Sequence, residues 1–197
     1  MKEVVFYYDF SSPYAYLGAT QIERVAAAEG ARVVWRPILV GALFNQIGTP
    51  NVPLDQFPGA KRAYMLRDLM HWASHWGVKL RWPSRFPMRT VAPLRLALAV
   101  EAAGGDIAEV SRRIFAAYWV EDRDIADPHV LRDFGAVTEL EGLEAPAIKA
   151  ALRKNTDEAI AAGVCGVPSF RVREHLFWGQ DRLPLVARTL AGWDPPT

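Results

Sequence analysis

The sequence predicts an α/β protein in which a βαβ unit and a ββα unit share one sheet and are separated by a large all-helical insertion. Three observations carry this. Runs of β-branched and aromatic residues stand near both ends, at 4–8 and 32–36 and again at 169–172 and 176–178. From about residue 61 to 162 the apolar spacing is helical and strand-like runs nearly vanish. Strands at both ends of a chain with helices between them fit one sheet whose halves are interrupted. The expected division is residues 1–40 with 163–197 for the sheet-bearing part, and 41–162 for a connecting loop and helical subdomain.

Taken in order, Val4-Val5-Phe6-Tyr7-Tyr8 reads as a strand ended by Asp9. Leu17, Ile22, Val25 and Ala26 then fall near one helical face, Pro13 suits a first helical position and Gly30 suits the stop. Arg32-Val33-Val34-Trp35-Arg36 is the second strand, and the crossover is long enough for a right-handed parallel βαβ unit. Residues 45–59 hold three prolines, two glycines and little periodicity, as in binding loops or lids. Met65, Leu69, Trp72, Ala73 and Trp76 recur at helical spacing before Gly77. Asp106 with Glu109 resembles a capping box ahead of Ile107, Val110, Ile114 and Tyr118, and Asp127-Pro128 a further helix start. Two short strands joined by Arg173-Glu174-His175 follow, then a closing amphipathic helix through Leu183, Val186, Ala187 and Leu190.

The 197 residues are 51% hydrophobic and 23% charged with net charge +1, close to an average globular chain. That balance argues against a disordered chain, a polybasic nucleic-acid binder and a linker. Cys165, the single cysteine, cannot form an intrachain disulfide, and it reads as a small buried apolar residue or, in the other reading, a reactive thiol. The five apolar residues at 4–8 are too few for a signal-peptide core and no stretch is long enough for a membrane span, so a cytoplasmic protein with no membrane or nucleic-acid partner is expected. The aromatic residues serve a core or line a pocket for a flat ligand.

Several chemistries lack their motifs: there is no nucleophile elbow, dinucleotide fingerprint, phosphate-binding loop or Cys-x-x-Cys. His71 and His75 have the i, i+4 spacing of metal ligands, yet no third ligand is evident beyond Asp68 one turn away, and no metal is expected. Arg81, Arg85, Arg89 and Arg95 form a basic stretch that suits a solvated surface or an anionic small molecule. Asp9-Phe10-Ser11-Ser12-Pro13 stands where a strand turns into a helix. Helix N–H groups there favour an anion such as a thiolate, and Ser12 reads equally well as a plain N-cap. Gly166-Val167-Pro168 precedes a strand, which by itself marks a turn.

Together the Ser-Pro helix start, the helical insertion, Gly166-Val167-Pro168 before a strand and Trp178-Gly179-Gln180-Asp181-Arg182 resemble the DsbA-like branch of the thioredoxin fold. More narrowly, the chain is similar to 2-hydroxychromene-2-carboxylate isomerases and kappa-class glutathione transferases over nearly its whole length. By that resemblance Ser12 occupies the nucleophilic cysteine's place and Ala15 the resolving cysteine's, so dithiol exchange is excluded and an external thiol, glutathione, is the implied cofactor. The resemblance gives Ser12 the hydrogen bond to the glutathione sulfur, without itself becoming an alkoxide. It makes Pro168 cis, with the Val167 backbone pairing the cysteinyl backbone. Gln180 and Asp181 would receive the γ-glutamyl end, Asp181 having helix capping as its plainer reading, and Lys61 the glycyl carboxylate. Asn51 matches an asparagine of the preceding loop, which is shifted here by about one residue.

The implied activity is glutathione-dependent cis/trans isomerisation of 2-hydroxychromene-2-carboxylate to trans-o-hydroxybenzylidenepyruvate in aromatic breakdown, by a homodimer, with Arg85 or Arg89 as the substrate carboxylate's partner. The alternatives are a kappa-like transferase or peroxidase acting on other electrophiles, and a thioredoxin-fold binding protein without catalysis.

Overall fold

A computed structural model describes residues 1–50 and 52–196 of the chain. Strand β1 (Lys2–Tyr8) has its last five residues buried. A strand covered on both faces carries a continuous apolar run instead of an alternating one, which is why residues 4–8 show no polar alternation. It pairs in parallel with β2 (Ala31–Pro37), from Lys2 opposite Ala31 to Tyr8 opposite Pro37, and in antiparallel with β3 (Ser169–Val172), Phe6 facing Phe170. Strand β4 (His175–Trp178) closes the order β2-β1-β3-β4. The two ends of the sequence thus build one sheet. Phe6 stacks on Phe170 at 5.3 Å and meets Trp35 edge-on at 4.9 Å, joining β2, β1 and β3 through one aromatic cluster.

The helix α1 (Pro13–Ala28) crosses between β1 and β2, begins with Pro13 behind the N-cap Ser12, and is followed by Gly30 at φ +63°. The helices α3 (Gly59–Trp76), α5 (Ile107–Trp119) and α6 (Pro128–Leu131) start or stop at the punctuating residues Gly77, Asp106 and Asp127. Asp106 accepts from Ala108 and Glu109 N–H, but the Glu109 carboxylate goes to Arg112 at 3.0 Å, where a capping box would have turned it back to the backbone. The remaining helices of this segment are α4 (Val91–Ala102), α7 (Val137–Glu141) and α8 (Pro146–Ala161), and α9 (Leu183–Leu190) closes the chain. The helical segment and the sheet share a common hydrophobic core.

Three features depart from the expectation. A helix α2 (Val40–Ile47) takes the first residues of the expected loop 45–59 and stops at Gly48, φ +73°. Leu39 cannot cap it, so its first donors are satisfied from afar: Val40 N–H by Asp9 Oδ2 at 3.0 Å and Leu39 N–H by Thr156 Oγ1 at 3.1 Å. The stretch 77–90 is an irregular strap, with a cis Phe86–Pro87 bond, tied down by bonds from the Tyr16 hydroxyl to the Lys79 carbonyl and from Arg81 N–H to the Trp119 carbonyl. The hairpin β3–β4 turns on Arg173 and Glu174 alone, since Arg173 adopts φ +55° and returns His175 to the strand opposite Val172. Among the described residues, no helix is long and apolar enough to cross a membrane.

Candidate functional site

The site is built at the C-terminal end of β1. Asp9 is fully buried and accepts from Ser11 N–H and Oγ–H, each at 3.0 Å, from Val40 N–H, and from the Thr90 side chain. Burial pushes its carboxyl above the ordinary value, and those donors pull it back. One carboxylate thereby ties the β1–α1 turn to the starts of α2 and α4. Ser12 then leaves the strand at φ −97°, ψ 119°, and its Oγ accepts from Ala15 N–H at 3.1 Å as the α1 cap.

The same hydroxyl donates to the Val167 carbonyl at 3.1 Å, across 155 residues of sequence. The Val167–Pro168 bond is cis. Each carbonyl of this segment has its own donor: Ser169 Oγ–H for Gly166 at 2.7 Å, Ser12 for Val167, and Gly179 N–H for Pro168 at 2.9 Å. Gly166 lies flat under the Trp178 indole, where a Cβ would come within 2.7 Å of Nε1. Gly18 brings α1 against Pro168 and Phe170.

Past β4, Gly179 at φ +109° leads into a short 3-10 turn, Gln180–Arg182. Gln180 is 2% exposed, and its Oε1 accepts from the Trp76 indole N–H at 2.7 Å. That bond orients the amide and leaves its NH2 as the donor group. Asp181 lies 3.5 Å from the Arg182 guanidinium. Burial, followed by the charges of Asp68 and Asp181, pushes the Tyr14 hydroxyl up to about 12, and all three residues line one cavity.

The site opens onto a cavity of about 1360 Å³. Ser12, Val167, Pro168, Gln180 and Asp181 line it together. Lys61 is not in the lining; its ammonium sits 4.0 Å over the ring of Phe57, which is. Asn51 lies outside the described residues. Of the arginine candidates, Arg89 lines the cavity, whereas Arg85 is turned outward to Asp124. Cys165, expected to be buried, is exposed and borders the cavity, because its chain neighbours Val164 and Gly166 take the inward positions. The His75 ring packs edge-on against Trp72 and Trp76. The metal-ligand types that do converge among the described residues are Glu174, His175 and Asp194, which are not part of the lining.

Sequence reasoning missed Asp9, Asp68 and Trp76 as contributors. Asp9 reads as a strand terminator and Trp76 as one member of a core stripe; only the fold brings Asp9 to Val40 and Thr90, and Trp76 to Gln180.

A family model described as DSBA-like thioredoxin domain matches residues 3–191. Glutathione s-transferase kappa 2 of Caenorhabditis elegans is 30% identical over 209 residues, spanning 96% of this chain and 92% of its own. A 2-hydroxychromene-2-carboxylate isomerase of Sphingobium xenophagum is 31% identical over 194 residues, spanning 94% and 96%. A solved 2-hydroxychromene-2-carboxylate isomerase superposes with a TM-score of 0.83 at 22% identity, covering 96% of this chain and 94% of that one, a likeness of fold.

Proposed function

The chain belongs to the DSBA-like thioredoxin domain family, and from that membership we propose that it is a glutathione-dependent cis/trans isomerase converting 2-hydroxychromene-2-carboxylate to trans-o-hydroxybenzylidenepyruvate. The observation that carries the reading is the Ser12 hydroxyl, set at the N-terminus of α1 against the Val167 carbonyl with Ala15 where a second thiol would stand. Such a site can favour a thiolate but cannot form an internal disulfide. Isomerase and glutathione transferase relatives at about equal identity support an enzyme of this kind.

The donor set fits the tripeptide. Glutathione carries an ammonium and a carboxylate at one end, and Asp68, Asp181 and the Gln180 amide face that end of the cavity. Once the hemiketal ring C–O bond has opened, its hydroxyl proton passing to the phenol oxygen, bound glutathione would supply a thiolate that adds reversibly to the conjugated enone so formed, so that the former double bond can rotate before the thiolate leaves, unconsumed. Ser12, which donates to the Val167 carbonyl, would turn its hydrogen to the sulfur, and that carbonyl would be left to accept a backbone N–H. Lowering a thiol from about 8.5 by roughly two units takes about 2.7 kcal/mol of preference for the anion. One charge-assisted hydrogen bond and a helix N-terminus supply energy of that order.

The kappa-like reading, transfer of glutathione to other electrophiles, is favoured by the nematode relative and uses the same residues. Purified protein mixed with glutathione and the chromene separates the two. Isomerisation gives the absorbance of the trans pyruvate with free thiol constant; stoichiometric loss of thiol assigns transfer, and no reaction of either kind overturns the proposal.

A further inference from the structure

We propose that Glu174, His175 and Asp194 form a binding site for a divalent transition ion such as zinc, joining the β3–β4 hairpin to the segment that follows α9. His175 opens β4 opposite Val172, and its side chain is 11% exposed. Its Nε2 faces two carboxylates at once, Asp194 Oδ1 at 2.8 Å and Glu174 Oε1 at 3.5 Å. One ring nitrogen carries one hydrogen and satisfies one of them, whereas a bound ion would engage all three residues. Their ligand atoms lie within 4.8 Å of one another. A tetrahedral ion with bonds of about 2.0–2.2 Å holds its ligand atoms about 3.4 Å apart. Both carboxylates are exposed, so rotation of their side chains reaches that spacing with the backbone in place.

Asp194 is brought to His175 by bonds that do not use its own carboxylate. Gly192 turns the chain at φ +111°, Trp193 N–H donates to the Arg188 carbonyl at 2.9 Å, and the Arg188 guanidinium lies 4.5 Å over the Trp193 ring. Arg173, from the hairpin turn, donates to the Trp193 carbonyl at 2.9 Å. The same guanidinium stands 3.5 Å from Asp194 Oδ1. One guanidinium against two carboxylates leaves the cluster negative while the imidazole is neutral. An imidazole beside carboxylates suits zinc, whereas calcium and magnesium take oxygen ligands alone. Three protein ligands leave a fourth position for water. His71 and His75 of α3 do not converge with a third ligand in this way among the described residues. The cluster is not part of the cavity lining, so the proposal stands apart from the glutathione reading.

Calorimetric titration of the whole chain with zinc chloride, without glutathione present, tests this on the wild type, His175→Gln, Asp194→Asn and the double variant His71→Gln/His75→Gln. The wild type should bind zinc, with a Kd raised more than about tenfold by His175→Gln or Asp194→Asn, since even the outer partners of a metal ligand are worth that much. The double variant should bind as the wild type does. Binding should also raise the Tm of the wild type, reversibly by a chelator, and leave that of Asp194→Asn unmoved. Asp194 is an exposed side chain, so this comparison stands even where His175→Gln fails to fold. No zinc binding by the wild type at millimolar concentration would overturn the site, as would a Kd unchanged in Asp194→Asn. Binding lost in the double variant and kept in Asp194→Asn gives the ion to α3 and overturns it as well.

Discussion

At the scale of the residue, Ser12 does two jobs with one oxygen: it accepts from Ala15 N–H as a helix cap and donates to Val167. The two roles separate under Ser12→Ala. Loss of the cap costs about 1 kcal/mol of stability, visible as a Tm lowered by roughly 2–4 °C for a chain of this size. Loss of the donor lowers turnover by about 10²-fold at saturating glutathione while affinity stays within a few-fold; unchanged turnover would remove Ser12 from the chemistry. Asp9 makes a prediction of a different kind. Burial holds its carboxyl above the ordinary 3.8 in the folded chain, so the native state keeps a proton that the unfolded state releases. Its contribution to stability is greatest below that ordinary value and declines as pH rises through the interval up to the raised one. Asparagine does not titrate there. The Tm of the wild type minus that of Asp9→Asn should therefore fall as the pH is raised above about 4, and a rising difference would mean that the four donors outweigh burial.

Elements were legible in the sequence where their ends are marked locally. Helix α1 announces itself through Ser12, Pro13 and Gly30, and α3 stops where Gly77 can take φ +65°. Helix α2 was not legible because both of its end donors are satisfied by Asp9 and Thr156, 31 and 117 residues away. The strap at 77–90 was read as part of the helical region, since its apolar residues face the core without any period that distinguishes a tied-down coil. Contacts between elements are hidden in the same way. The last residue of α3, Trp76, reaches across 104 residues to Gln180, beside the start of α9. Trp76→Phe keeps an aromatic ring against Trp72 but leaves the buried Gln180 oxygen without its donor, at a cost of about 1–3 kcal/mol. Because the amide is then free to flip, KM for glutathione should rise several-fold while kcat at saturation holds. A fall in kcat with KM unmoved would show that Trp76 acts on the fold at large and not on Gln180.

For the whole molecule, the sequence-local part of the site is the part at strand ends: Ser12 after β1, Val167 and Pro168 before β3, Gln180 and Asp181 after β4. Those segments converge because the two sequence ends share one sheet, in the order β2-β1-β3-β4. Asp68 joins the Asp181 side from α3, and the part of the lining with Trp82 and Arg89 comes from the strap; nothing in local spacing places either there. The net charge of +1 conceals a cavity lined by Asp68 and Asp181, whose charges act on Tyr14, and by Arg89, which has no carboxylate partner among the described residues. A ligand bridging segments so distant in sequence stabilises only the folded chain, so binding is readable as heat stability. At 100 times its Kd a single-site ligand adds about 2.7 kcal/mol, and at roughly 2–4 °C per kcal/mol for a domain of this size the Tm should rise by about 5–11 °C. Glutathione should produce that rise in the wild type and nearly the same rise in Ser12→Ala, whose loss is in turnover. Asp181→Asn should reduce it, because the ammonium of the tripeptide loses a charged partner. Equal shifts in Asp181→Asn and wild type would take the γ-glutamyl end away from Asp181. No shift in the wild type at millimolar glutathione would take the tripeptide out of the cavity altogether.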